Sequence, residues 1–368
     1  MAIEDNFQDQ RQRLSLTFDM SDSMSDANGG RWDHACDGQG GKGDGQHFLL
    51  SAAARRLSVA QVARLDDEEA FRLFCGIRWC ATEGDPVCPH CGCVAIYKHA
   101  KRKIFTCKAC MRQFSVTSGT MFHARKMPLR DLLVAIAIFT NGAKGHAALH
   151  LARDLCCQYK TAFVLAHKLR EALGAETETR HAMGEVEIDG AYFGGYVKPA
   201  NWKVDRVDRR FTKNQNGKRR VVVIMRERGG RTLPFVVRHE VDSIPTLQDR
   251  IKPGSTVHAD EARSWDALTY AGLGLMRINH QEAYSDGDAC TNQAESFFSR
   301  IRRAEIGMHH HIAGPYLADY AHEMAWREDA RRIDNGQQFL LIGLAALIHP
   351  PSKRWKGYWQ RAKRVAPS

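Results

Sequence analysis

At 368 residues the chain is too long for one small core, and about 100–200 residues per domain implies two or three domains. Its 53 lysines and arginines against 42 acidic residues leave a formal charge of +11, which calls for an anionic partner, nucleic acid or an anionic membrane surface. The longest apolar runs, LLVAIAIF (132–139) and FLLIGLAALI (339–348), exclude a spanning helix because they fall short of the roughly 18 residues one needs. The acidic, polar start MAIEDNFQDQ does not read as a signal peptide. The expected compartment is the cytoplasm, where eleven cysteines are read as thiols or metal ligands rather than disulfides.

Residues 1–46 are rich in Ser, Asp and Gly and close on GQGGKGDGQ, the composition of a disordered arm. From about residue 66, DDEEAFRLFCGIRW predicts a short amphipathic helix with acids in its first turn. It opens a segment, 66–127, that contains CPHCGCVAIYKHAKRKIFTCKAC (88–110). Cys88 and Cys91 form one C-x₂-C knuckle and Cys107 and Cys110 another, with 15 residues between them. That spacing predicts a zinc ribbon, since two knuckles supply four thiolates in a tetrahedron without a large core. Four protein ligands leave no open position, so this Zn²⁺ is structural. Cys93, His90 and His99 are rival ligands, although Cys93 sits too close to Cys91 to replace a knuckle easily. Between the knuckles, Lys98, Lys101, Arg102 and Lys103 interleave with Tyr97 and Phe105. Such a pattern suits phosphate contact, and it is equally the pattern of a solvated charged face.

Residues 128–176 predict three helices. Pro128 fits a first helical position, NGAKG breaks the chain, and a short turn near Cys156–Gln158 separates the last two. In a helix-turn-helix the second of these enters the major groove. Gln158, Tyr159, Lys160, His167 and Arg170 are then the candidate DNA contacts, although any three-helix bundle has a similar sequence. From about 185 the text becomes strand-like, in EVEIDGAYFGG, RRVVVIMRER, TLPFVVRHEV and STVHADEA, and it returns to helix from 292 to about 348. Residues 349–368 are a basic, aromatic tail. The stretch NWKVDRVDRRFTKNQNGKRR (201–220) is a basic insertion.

Three acids occupy comparable places in this last domain, 185–348. Asp189 lies near the end of a first strand, Asp260 falls where a short β-rich run meets a helix start, and Glu295 sits in the first turn of a helix. Strands followed by an acid-bearing helix are how an RNase-H-like sheet, a mixed sheet flanked by helices, gathers distant carboxylates. Clustered like charges raise one another's pKa unless cations neutralise them. Two Mg²⁺ (or Mn²⁺) ions suit hard carboxylate oxygens and an in-line phosphoryl displacement. Each acid also has a plainer role: Asp189 starting a turn at Gly190, Asp260 capping a helix from Glu261, and Glu295 closing a capping box with Asn292. Glu187 shares the strand face of Asp189 and is a candidate supporting ligand. Glu261, Asp266, Asp286 and Asp288 rank lower. Ser299, Arg302 and Arg303 follow Glu295 on its helix and form a phosphate-gripping strip.

The zinc ribbon together with EIDGAYFGG, HADEARSWDAL, NQAESFFSRIRR and MHHHIAGPYLADYAHEMAWRED resembles the ISXO2-like DDE transposases of bacterial insertion sequences, over about residues 66–335. The resemblance implies a multidomain α/β protein in which zinc ribbon, helix-turn-helix-like segment and RNase-H-like catalytic domain follow in order. It implies Asp189, Asp260 and Glu295 as a catalytic, Mg²⁺-binding triad with Asn292 adjacent. The implied activity is cleavage at transposon ends, followed by 3′-hydroxyl attack on target DNA. The implied partners are terminal inverted repeats, target DNA and further copies of the chain, in a cytoplasmic, nucleoid-associated protein. Asp329, in WREDARR, stands where the family usually carries asparagine. Two rivals compete: a DNA-binding regulator without catalysis, and a tyrosine recombinase built on Tyr320 with His309, His310 and Arg327.

Overall fold

In the computed structural model the described residues are 48–99, 102–195, 198–208, 211–214, 216–278 and 291–362. The expected N-terminal arm, Lys101, Asp286 and Asp288 lie outside them. The chain divides into two compact units. One comprises residues up to Gly142, Ala148–Ala172 and Ala330 onward; the other comprises Ala143–Ala147 and Leu173–Asp329. Among the described residues no helix is long and apolar enough to cross a membrane.

The first unit opens with helices α1 (Val59–Arg64) and α2 (Asp67–Arg78). Asp66 caps α2 by accepting from the N–H groups of Glu68 and Glu69, and Glu69 returns the bond to Asp66 N. The ribbon is an antiparallel meander of β1 (Ile96–His99), β2 (Ile104–Cys107) and β3 (Gln113–Ser115). Trp79 anchors it to the end of α2, edge-on to Phe105 and Phe114. Helix α3 (Leu129–Asn141) follows Pro128, which is its N-cap rather than its first helical residue, and α4 (Ala148–Asp154) and α5 (Tyr159–Glu178) come next. The turn between α4 and α5 bends at Cys156, whose φ of 48° is left-handed.

The boundary at the C-terminal end differs from the expectation of a catalytic domain reaching residue 348. Helix α9 (Asn335–Ile348) belongs to the first unit and packs against both α2 and α3. Its sequence is apolar on every side, so it needs cover all round, and Gly343 lets it approach Ile77 closely. The tail also differs from expectation. Trp355, Tyr358 and Trp359, the last two in α10 (Tyr358–Ala362), surround Phe163 of α5.

The second unit is a five-stranded sheet, with β4 (Glu185–Phe193), β5 (Arg220–Glu227), β6 (Thr232–Val237), β7 (Thr256–Ala259) and β8 (Gly274–Arg277). The order is β6-β5-β4-β7-β8, antiparallel across β6-β5-β4 and parallel across β4-β7-β8. This is the mixed, RNase-H-like sheet expected from the sequence. One face buries Val186, Ile188, Val221 and Val223 against α6 (Ile244–Arg250) and the 3-10 helix Arg263–Ala271. The other buries Ala191, Phe193, Val222 and Ile224 against α7 (Asn292–Ala304) and α8 (Leu317–Asp329). The departure at Asp329 is accommodated by a buried polar clasp, because its carboxylate accepts from Arg226, Thr232 N and Thr232 Oγ1. An aspartate there pins the end of α8 to β5 and β6 through an arginine, a charge-assisted bond.

Candidate functional site

The position of the acids follows from strand register. In the parallel β4–β7 ladder Glu185 lies opposite Thr256 and Glu187 opposite His258. The ladder ends there, with Asp189 two residues further along β4 and Asp260 just past the last residue of β7. Alternation turns the Asp189 side chain to the face that carries α7 and α8, the face of Ala191 and Phe193. Asp189 does not begin a turn, since β4 runs through Gly190, paired with Val223, to Phe193. The Asp189 carboxylate bends back to accept from Gly190 N at 2.7 Å. Asp260 follows the last residue of β7 and accepts on Oδ1 from Ala262 N and from the buried indole of Trp265. It therefore shapes the turn after β7 through one oxygen, and Oδ2 takes part in neither bond.

Glu187 has a different part from the one expected. It is fully buried, with Oε1 accepting from Arg228 Nε and Oε2 from the N–H groups of Gln293 and Ala294. Those are the unsatisfied donors at the start of α7, the helix that carries Glu295. A strand carboxylate two residues before Asp189 thus fixes the helix that supplies Glu295, and its oxygens are committed to that task. The capping box proposed for Asn292 and Glu295 does not form: Thr291 is the N-cap, Asn292 is the first helical residue, and Glu295 N bonds Thr291 O. Asn292 is exposed, and beyond Glu295 Ser299 is half-buried while Arg302 and Arg303 are exposed. Asp266 is paired with Arg277, away from this group.

A fourth acid, Glu240, escaped the sequence reading. A Cβ on Gly190 would lie 2.4 Å from Glu240 Oε1, so the glycine is there to admit a carboxylate against the strand. Ser264 Oγ donates to the other oxygen at 3.1 Å. Burial, reinforced by the charges of Asp260, Glu240 and Glu295, pushes the Asp189 carboxyl up to about 7. Burial and Asp260 likewise raise Glu240. Asp260, Glu240 and Glu295 are near enough to act on the charge of Asp189, and carboxylate oxygens are donors of the kind that suit divalent cations such as Mg²⁺.

The zinc ligands are brought together as expected. The Sγ atoms of Cys88, Cys91, Cys107 and Cys110 all lie within 4.8 Å of one another. Cys88–Cys110 is 3.7 Å and Cys91–Cys107 is 3.6 Å, near the roughly 3.8 Å edge of a tetrahedron with 2.3 Å Zn–S bonds. The N–H groups of Cys110 and Ala109 point at Cys107 and lower its thiol to about 6, which favours the thiolate a metal needs. Cys93 is engaged with Ala95, and His99 with Thr106. Cys93, His90 and His99 stand outside the four-thiol cluster.

The basic candidates divide. Lys103 is held by Glu68 and the Asp67 carbonyl, and Lys98 by Asp85, whereas the Arg102 side chain is exposed. Gln158, just before α5, and Tyr159 and Lys160 in its first turn are exposed. His167 and Arg170 are fully buried, the first stacked on Trp355 and the second over Phe139, which removes both from any DNA-facing surface. The tyrosine-recombinase set is also internal. Tyr320 is buried beside the His309 ring, and Arg327 is buried in an ion pair with Glu323. His310 is exposed.

Comparison with known proteins adds to this geometry. Residues 181–329 match the model of the ISXO2-like transposase domain, and residues 65–113 that of the transposase zinc-ribbon domain. An uncharacterized protein in transposable element ISH50 of Halobacterium salinarum is 24% identical over 280 residues, covering 73% of this chain and 92% of that protein. An uncharacterized transposase-like protein of Haemophilus influenzae is 26% identical over 84 residues, covering 23% of this chain and 68% of that one. No solved structure matches.

Proposed function

Since the chain belongs, through residues 181–329 and the zinc ribbon before them, to the ISXO2-like transposases, we propose that it cuts at transposon ends and joins them to target DNA. The observation that supports this is the buried Asp189 carboxyl just beyond the β4–β7 ladder, raised by its burial and by the nearby charges of Asp260, Glu240 and Glu295. Asp189, Asp260 and Glu295 would hold divalent cations, and Glu240 lies close enough to share in that charge. When bound, such ions would polarise the scissile phosphodiester and stabilise the oxygens entering and leaving it.

The residues of the chain supply position. Glu187 fixes the start of α7 and so the approach of Glu295, while Trp265 and Ala262 orient the Asp260 carboxylate. In the first step water adds to phosphorus as the P–O3′ bond breaks, releasing a 3′-hydroxyl. In the second that hydroxyl oxygen forms a new bond to a target phosphorus and the target's own 3′-oxygen leaves with the proton. One phosphodiester is exchanged for another, so no external energy source is needed. Arg302 and Arg303, exposed on α7, are placed to grip phosphates beside the acids. Gln158, Tyr159, Lys160 and Arg102 are the DNA contacts of the first unit. Cutting two ends in concert calls for more than one copy of the chain.

The test is incubation of purified protein with candidate end DNA, with and without Mg²⁺, read on a denaturing gel. Mg²⁺-dependent nicks and joined products are expected from the natural chain, and Asp189→Asn should bind the ends without cutting them. Full activity in that variant overturns the assignment. Binding without any Mg²⁺-dependent product from the natural chain indicates a DNA-binding regulator instead.

A further inference from the structure

Beyond the acids, β4 runs into a cleft of about 1200 Å³ within the second unit. Its walls include Tyr192 and Gly195 from β4 and the turn after it, Lys218 and Arg220 from the start of β5, and His310 and His311. Tyr192 is three residues past Asp189, so the cleft opens about 10 Å along the same strand. The lining is basic, with Glu305 the one carboxylate in it. The chain is contorted to build one wall: Glu305–His309 is a π-turn, and His310 follows at a left-handed φ of 59°. Such features concentrate at functional sites.

The segment between β4 and β5 that feeds this cleft is unusual in a second way. Over residues 198–220 it carries nine lysines and arginines against two aspartates, a net +7 within a chain of +11. Among them it displays large apolar side chains to solvent: Trp202 is 72% exposed, Val204 90% and Phe211 58%. A loop that merely linked two strands would gain nothing from an exposed tryptophan. Cations are set over rings within the segment and at its end, with Lys213 Nζ 6.0 Å from the Phe211 ring and Arg219 4.2 Å from that of Tyr192. Rings that are exposed and flanked by cations stack on base faces while the charges follow phosphates. A duplex hides its base faces, so an intact double helix cannot use these rings.

We infer that the β4–β5 segment, with Trp202, Phe211 and Tyr192 as stacking surfaces and Lys218 and Arg219 as phosphate contacts, binds unpaired DNA at the cleft beside the acids. Its occupant is a frayed or already cut strand next to the scissile phosphate. This rests on the chain being a transposase for its biological meaning, but the binding can be measured without any chemistry.

The test uses the full chain in buffer without Mg²⁺ or Mn²⁺ and without chelator, so that the ribbon keeps its zinc, with a fluorescent oligothymidylate of about 16 nucleotides, the upper site size of single-strand folds, and a blunt duplex of equal length. Trp202→Ala combined with Phe211→Ala removes two exposed rings without touching the core. The expected result is a loss of single-strand affinity of tenfold or more, with duplex affinity changed less than about twofold, since each stacked base accounts for roughly a tenfold factor or more. Lys218→Gln should weaken the oligothymidylate and reduce the salt dependence of its binding. Unchanged single-strand affinity in the double variant overturns the inference, as does an equal loss for both probes. A change from dimer to monomer with unchanged affinity would give the patch to a second copy of the chain and overturn it too. Because omitting Mg²⁺ and Mn²⁺ stops cleavage, failure of the transposase assignment would show in the Mg²⁺ assay and leave this binding result standing.

Discussion

The four-thiol ribbon and the acid site proposed to hold divalent cations are built in opposite ways. The four thiols lie within 23 residues, 88–110, and each pair is set by the turn of its own knuckle. The carboxylates span residues 189 to 295 and meet only if the β4–β7 register and the seat of α7 are both right. Local ligands make the fold of the ribbon depend on its metal. Distant ligands make the acid site depend on the fold. Removing a ligand from the first should therefore cost structure, and removing one from the second should cost activity.

The largest effect is expected in the ribbon. Cys107→Ser, or a strong chelator, should release zinc and unfold residues 88–115, because structural zinc in small domains contributes roughly 10–16 kcal/mol at neutral pH. Metal content by mass spectrometry and limited proteolysis check this. Next, Asp189→Asn, Asp260→Asn and Glu295→Gln should each lower Mg²⁺-dependent cleavage roughly a thousandfold, as expected for a metal ligand worth several kcal/mol. Their thermal transitions should stay near that of the natural chain.

Glu187→Gln sits between the two classes. It leaves the Arg228 guanidinium without its buried carboxylate and weakens the cap on α7. A destabilisation of about 1–3 kcal/mol is expected in urea unfolding, with cleavage reduced less than by loss of Glu295.

A smaller effect concerns pH. Asp189 in the folded, metal-free chain titrates near 7, above its ordinary value of 3.8. Between those values the folded state holds a proton that the unfolded state has lost, so its stability falls as pH rises across that window. A divalent cation removes this cost, and the rise in melting temperature on adding Mg²⁺ should be larger at pH 8 than at pH 5. An equal rise at both would break the link between Asp189 and the metal. The smallest effect is expected at Lys103, whose ammonium is tied to Glu68 at the surface. Lys103→Gln should change stability by less than about 1 kcal/mol and leave DNA affinity unchanged in a filter-binding assay.

The same contrast explains what could be read in the sequence. The knuckles were legible because their ligands are neighbours, and the secondary-structure setting of the three acids because each sits at the end of a recognisable strand or the start of a helix. Register itself was visible after the fact: Asp189 and Asp260 are 71 positions apart, the offset by which Glu185 faces Thr256. The role of Glu187 was not legible, since alternation gives its face but not its partner on a helix 106 residues away. Glu240 left one faint trace, a glycine inside a strand, whose alternative reading as the start of a turn does not point to an acid. His167 and Arg170 occupy positions open to solvent on an isolated helix, and only the packing of Trp355 and Phe139 takes them inside. Helix α9 shows the same limit, because an all-apolar helix announces burial without saying in which unit.

The most direct test of the convergence of the acids is anomalous diffraction from crystals of the full chain grown with Mn²⁺. Anomalous peaks within coordinating distance of Asp189 and Asp260, with Glu295 approaching from α7, are expected. Well-ordered acids with no Mn²⁺ near them, or carboxylates turned away from one another, would contradict it.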